Sequence, residues 1–142
     1  MASSLSASQK VAVVTGSSSG IGYETSLTLS RNGFLTYATM RNLNKSENIK
    51  SLAEKEKLPL KLIELDVTDD GSVKNAIQSI KAEANRIDVL VNNACYGVNG
   101  AFEDLAMEEI RAQYETNLFG VIRVTQAVLP IMRKQIWYHR KY

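Results

Sequence analysis

Three observations predict an α/β chain whose parallel sheet is covered by helices. Apolar runs of strand length alternate with longer amphipathic segments along most of the 142 residues, the pattern of β-strands joined by helical crossovers. The first run, Val11-Ala12-Val13-Val14, is apolar throughout, as in a strand buried on both faces. A turn of small residues then leads directly into the first helical segment.

The elements follow in order. After the strand at 11–14, a helix is expected over about 20–32, ending at Asn32-Gly33, where glycine adopts the left-handed conformation that closes a helix. The second strand is read at 34–40. A second helix over 45–57 stops before Pro59, whose ring disfavours helix at the preceding residue. The third strand spans 60–65. The third helix, 70–85, sets Val73, Ile77, Ile80 and Ala84 at helical spacing, one face toward the sheet. A fourth strand covers 87–91. The longest helix is expected over 107–133, with Ile110, Tyr114, Leu118, Val121, Thr125, Val128 and Met132 as its buried stripe. Asn117 shares that face, so its amide is expected to be buried and in need of partners. Beyond Met132 the apolar pattern fails, and no further strand is read.

Composition narrows the function classes. Hydrophobic residues make up 44% and charged residues 23%, which excludes wholesale disorder. The net charge of +2 comes from Arg133, Lys134, Arg140 and Lys141, and residues 1–132 carry 13 basic against 15 acidic side chains. No basic footprint for nucleic acid is present on the predicted fold. With Cys95 the sole cysteine and His139 the sole histidine, neither a disulfide framework nor a Cys/His zinc site is expected within one chain. The N-terminal residues lack the charged start and apolar run of a secretory signal, and no segment reaches the ~18 apolar residues of a membrane span. A cytoplasmic location without a membrane or metal is the expectation.

The most specific feature is Thr15-Gly16-Ser17-Ser18-Ser19-Gly20-Ile21-Gly22. Small residues let backbone approach an anion closely, and the helix that follows offers unpaired N–H groups and a partial positive charge. The Gly-x-x-x-Gly-x-Gly spacing differs from both Gly-x-Gly-x-x-Gly and the Walker loop. Asp66, Asn92 and Asn93 stand at the carboxyl ends of strands, where ligands sit in open parallel sheets. Capping and turn roles remain open for these three on residue chemistry alone.

These residues together resemble the N-terminal half of the short-chain dehydrogenase/reductase family. The turn at 15–22 is similar to that family's Thr-Gly-x-x-x-Gly-x-Gly, Leu65-Asp66-Val67-Thr68 to its segment after the third strand, and Asn92-Asn93-Ala94-Cys95 to its Asn-Asn-Ala-Gly, with Cys95 in place of glycine. Asn117 of Thr116-Asn117 matches the family's helix asparagine. The resemblance implies a partial Rossmann-like doubly wound parallel sheet of order 3-2-1-4. It implies that Gly16, Ser18, Ser19, Gly20, Ile21 and Gly22 hold a dinucleotide pyrophosphate. Asp66, Val67, Asn93, Ala94 and Cys95 complete the cofactor site, and Asn117 belongs to the catalytic group, helping to hold a proton-relaying water. Tyr96 is read as a packing or loop residue.

Thr39-Met40-Arg41-Asn42 supplies no acid for a ribose hydroxyl and one arginine for a 2′-phosphate. NADP is therefore expected over NAD, with Arg41 as determinant, unless Arg41 is only a surface residue. The implied activity is hydride transfer between nicotinamide and a small carbonyl or alcohol. The family's Ser and Tyr-x-x-x-Lys are absent from these 142 residues, so the chain reads as a truncated, inactive nucleotide-binding half. The alternative is a non-catalytic dinucleotide-binding or interaction module. Residues 1–8 are expected to be flexible, 9–135 to form the half-domain and 136–142 an atypical tail. A half-sheet leaves its fourth strand as an open edge, and a homo-oligomer is expected.

Overall fold

The computed structural model describes residues 9–139, with side chains described to Gln135. The expected flexible segment 1–8 and residues 140–142 of the expected tail lie outside the described residues. Four strands, β1 (Val11–Val14), β2 (Leu35–Met40), β3 (Leu60–Glu64) and β4 (Val89–Val91), form one sheet of order β3-β2-β1-β4. Every pairing is parallel. The expected Rossmann-like order is thus the observed one. β4 begins two residues later than expected because Asp88 is taken up in anchoring β1. Its carboxylate accepts the Val11 N–H at 2.7 Å, while its own N–H donates to the Val11 carbonyl.

All four β1 residues and all six of β2 are buried, as continuous apolar runs require when helices cover both faces. Because successive strand residues point to opposite faces, the core divides in two. Val11, Val13, Leu35 and Tyr37 pack with α3 (Asp70–Ala84) and the C-terminal helix through Val73, Ile77, Ile80, Val124 and Val128. Ala38 and Met40 pack on the other face with Leu27 of α1 (Gly20–Arg31) and Ile49 of α2 (Glu47–Lys55). Tyr37 reaches through its layer so that its hydroxyl donates to Glu83 at 3.0 Å, and burial pushes its phenol above the ordinary value.

The helices stop where left-handed backbone is available. Gly33 follows α1 at φ +84°, and Asn85 closes α3 at φ 53°. Asparagine serves there because its short polar side chain tolerates that region.

The long helix departs from expectation. It is three consecutive segments: α4 (Met107–Tyr114), a π-helical turn over Glu115–Gly120, and α5 (Val121–His139). A π-turn inserts extra backbone per turn and so rotates everything beyond it relative to a 3.6-residue period. The buried line is Gly120, Val124, Val128 and Ile131, whereas no residue of α4 is buried, and Tyr114 and Leu118 of the expected stripe are about half exposed. The expected buried setting of Asn117 fails because no side chain of α4 or of the π-turn ahead of Gly120 enters the core, and Asn117 lies exposed among them. Helix also continues past the expected end near 133 to His139. Arg133, Lys134 and Gln135 are good helix formers, so the helix continues although the apolar pattern fails.

Candidate active site

The glycine turn joins the carboxyl end of β1 to α1, and its form is dictated by close backbone approaches. Gly16 and Gly20 hold φ +69° and +60°, a region costly for residues with a Cβ. A Cβ on Gly16 would lie 2.8 Å from Ala94 Cα, and one on Gly22 only 2.3 Å from both the Gly16 carbonyl oxygen and Asn93 Nδ2. The three turn serines divide by role. Ser17 is buried, donates its hydroxyl to the Val14 carbonyl at 3.0 Å and its N–H to the Thr39 carbonyl at 2.9 Å. Ser18 and Ser19 line the cleft. Ser19 precedes α1 without a side-chain cap, so the first-turn N–H groups of the helix have no intrahelical partner and no cap.

The turn is clamped to the end of β4 by Thr15 and Asn93. The buried Thr15 hydroxyl accepts N–H groups from Asn93 and Ala94, each at 3.0 Å. Asn93 Nδ2 donates to the carbonyls of Thr15 and Gly16, also at 3.0 Å. Asn92, beside it, is exposed and donates to Thr125 Oγ1 at 3.1 Å. The sequence motifs include Thr15, Ser17 and Thr39 but assign their buried hydroxyls no role of their own. The available signal was their position at strand ends, where buried hydroxyls need partners.

These elements enclose an open cleft of about 410 Å³ at the carboxyl ends of the strands. The structure brings together there Gly16, Ser18, Ser19, Ile21, Arg41, Asp66, Val67, Asn93, Ala94 and Cys95 of the sequence-derived set. Gly20 and Gly22 shape the turn from behind. Tyr96, read from sequence as a loop residue, also lines the cleft, as do Met40, Leu65, Thr68 and Thr116. Arg41 and Asp66 are the charged side chains among these lining residues. Asp66 is half-buried and does not cap α3. That role falls to Asp69, whose carboxylate accepts the Ser72 N–H at 2.5 Å. Asp66 Oδ1 instead accepts from the Thr68 N–H at 2.9 Å and the Thr68 hydroxyl at 2.7 Å, which fixes the loop after β3.

Asn117 does not line the cleft. It lies behind Tyr96, where Oδ1 accepts the Tyr96 N–H at 3.1 Å and Nδ2 donates to the Tyr96 carbonyl at 2.8 Å. Its amide is satisfied by the loop after β4, and neighbouring Thr116 reaches the cleft from the same π-turn. Among the described residues, no group of three His, Cys, Asp or Glu side chains is placed to hold a metal ion, and no helix is long and apolar enough to cross a membrane.

A parallel sheet of order 3-2-1-4, a glycine turn opening a helix, and a cleft at the strands' carboxyl ends define an α/β protein of the Rossmann type. The chain belongs to the short-chain dehydrogenase family, whose model matches residues 10–137. It is 43% identical over 128 residues to the uncharacterized oxidoreductase YusZ of Bacillus subtilis (89% of this chain, 45% of that protein). It is 41% identical over 125 residues to 3-ketodihydrosphingosine reductase of Bacteroides thetaiotaomicron (88% and 43%). A solved structure of an actinorhodin polyketide ketoreductase variant with NADPH superimposes with a TM-score of 0.82 at 31% identity, over 87% of this chain and 47% of that one. The chain therefore spans somewhat under half the length of these relatives.

Proposed function

We propose that the cleft binds NADP(H) in preference to NAD(H), as the nucleotide-binding part of an oxidoreductase acting on a small carbonyl or alcohol. The observation that carries the cofactor preference is Arg41, the cation lining the cleft just beyond β2, in a segment, Thr39 to Asn42, that contains no acid. An acid there would hydrogen-bond a ribose 2′-hydroxyl, whereas an arginine takes a 2′-phosphate in a bidentate, charge-assisted pair. The site fits the rest of a dinucleotide. The uncapped N-terminus of α1 faces the cleft with open space around Gly20, suited to a pyrophosphate. Asp66 and Val67 form the adenine wall, and Asn93, Ala94 and Cys95 continue the floor. Asn117 serves the catalytic group by holding the Tyr96 segment, which lines the cleft on the side away from Arg41.

When bound, the dinucleotide supplies or accepts the hydride. The residues described here bind and orient it and shape the cleft. No tyrosine of the 142 residues is followed four positions later by lysine, so these residues alone are expected to bind cofactor without turnover. NADPH consumption by them in the presence of a carbonyl substrate would overturn that part. Calorimetric titration of NADPH and NADH against wild type and Arg41→Ala tests the preference. One charge-assisted contact is worth about 1.5–3 kcal/mol, so NADPH should bind about tenfold tighter or more, and the substitution should abolish the difference. Equal affinities in wild type, or a ratio unchanged by the substitution, would refute the reading.

A further inference from the structure

We propose that Arg123 of α5, outside the cleft, is a positioning residue that sets the cleft's adenine side. The inference rests on the dinucleotide reading of the cleft. Two walls of that cleft come from segments far apart in sequence: the loop after β3, through Asp66, Val67 and Thr68, and the π-turn, through Thr116. Arg123 joins them from behind. Its Nη1 donates to the Val67 carbonyl at 2.7 Å, its Nη2 to Glu115 Oε1 at 2.7 Å, and its Nε pairs with Asp70 at the start of α3. One rigid fork thus holds the loop after β3, the π-turn and α3 in fixed relation. The side chain is about one-fifth exposed, and hydrogen bonds to Glu115 and Asp70 keep its guanidinium pKa raised.

The joint lies close against the site. Gly120, the last residue of the π-turn, approaches Val67 so closely that a Cβ there would come within 2.8 Å of Val67 Cγ2. On the cleft side of the same loop, Asp66 holds Thr68, and its N–H donates to Ser72 Oγ at 2.9 Å. On the far side of the π-turn, Asn117 holds Tyr96. Loosening Arg123 should therefore let the Asp66–Thr68 wall and the Thr116–Tyr96 wall move apart. Lysine, a compact ammonium on a flexible stem, keeps the charge but lacks the planar fork that spans the three acceptors, whereas methionine donates to none.

The test compares wild type, Arg123→Lys and Arg123→Met by amide hydrogen exchange without ligand, and by calorimetric titration with NADPH, 2′,5′-ADP and nicotinamide mononucleotide. Exchange at the Thr68 and Tyr96 amides should rise in Arg123→Met, with β1 and β2 amides unchanged, and Arg123→Lys should lie between. Affinity for NADPH and 2′,5′-ADP should fall about five- to tenfold in Arg123→Met, the range over which residues without ligand contact modulate binding. Affinity for nicotinamide mononucleotide, which lacks the adenosine half, should fall less than that for 2′,5′-ADP. Exchange that rises equally in every strand would mark a purely structural residue and overturn the proposal. So would unchanged Thr68 and Tyr96 exchange, or adenosine affinity that stays at the wild-type value. If wild type binds neither NADPH nor 2′,5′-ADP, the dinucleotide reading itself fails, and Arg123 then positions no nucleotide whatever its exchange shows.

Discussion

Replacing Gly22 by alanine reverses the sign that helix propensity alone would give. Gly22 lies in the first turn of α1, and alanine in a helix is favoured over glycine by about 1 kcal/mol. The added Cβ would lie 2.3 Å from the Gly16 carbonyl oxygen and 2.3 Å from Asn93 Nδ2. The first is backbone of the turn itself. The second is an amide already committed to two carbonyls at 3.0 Å. Overpacking of this kind costs about 1–3 kcal/mol, and losing the two amide bonds adds about 0.5–1.5 kcal/mol each. The net expectation is a loss of about 1–5 kcal/mol, a large part of a domain's usual 5–15 kcal/mol. Gly20→Ala is the control, because nothing lies within 4 Å of its added Cβ. It should cost only the left-handed backbone penalty of about 1–2 kcal/mol. Urea denaturation followed by circular dichroism measures both, with slopes of about 1–3 kcal/mol per molar urea, and NADPH titration reads the turn directly. A Gly22→Ala chain as stable as wild type and binding NADPH equally well would refute the claim that turn, Asn93 and helix form one close-packed unit.

Two further outcomes are expected. Burial alone would raise the Asp88 carboxyl, but the Arg86 pair and the Val11 N–H outweigh it and hold the group below its ordinary range. A carboxyl lowered on folding contributes stability that is present above its unfolded value of about 3.9 and is lost as pH falls through the folded value. Asp88→Asn should therefore cost about 1–3 kcal/mol at neutral pH and flatten the acid limb of a stability–pH curve, and an unchanged limb would contradict this. The 142-residue chain should also self-associate. Phe102 is 79% exposed, Phe119 50% and Tyr114 56%, and β4 is paired on one side only among the described residues. Light scattering that finds a monodisperse monomer across a concentration series would refute that expectation.

Local patterns made the fold legible. Alternating apolar runs gave the four strands and three helices near their observed bounds, because burial on one or both faces is written in side-chain periods of 2 and 3.6 residues. The glycine spacing was readable because each glycine answers a backbone demand within the turn. Asp66 was placed correctly at the cleft, although only the structure separated it from the cap Asp69, since both are Asp residues flanking one helix start. The phase of the long helix was not legible. Nothing in Glu115–Gly120 distinguishes a π-turn from an α-turn by composition, and an apolar period could not show that no side chain between 107 and 119 would be buried, which leaves Asn117 exposed.

What the sequence by itself determined is the parallel α/β architecture, the glycine turn before α1 and the arginine after β2, all features whose causes lie within a few residues of chain. Tertiary structure alone decided how the cleft's segments are joined: Thr15 with Asn93 and Ala94, Arg123 with Val67 and Glu115, Asn117 with Tyr96. Those hydrogen bonds join segments up to 79 residues apart. They exist because the fold sets β1 beside β4 and packs α5 against α3, and no one-dimensional period encodes that juxtaposition.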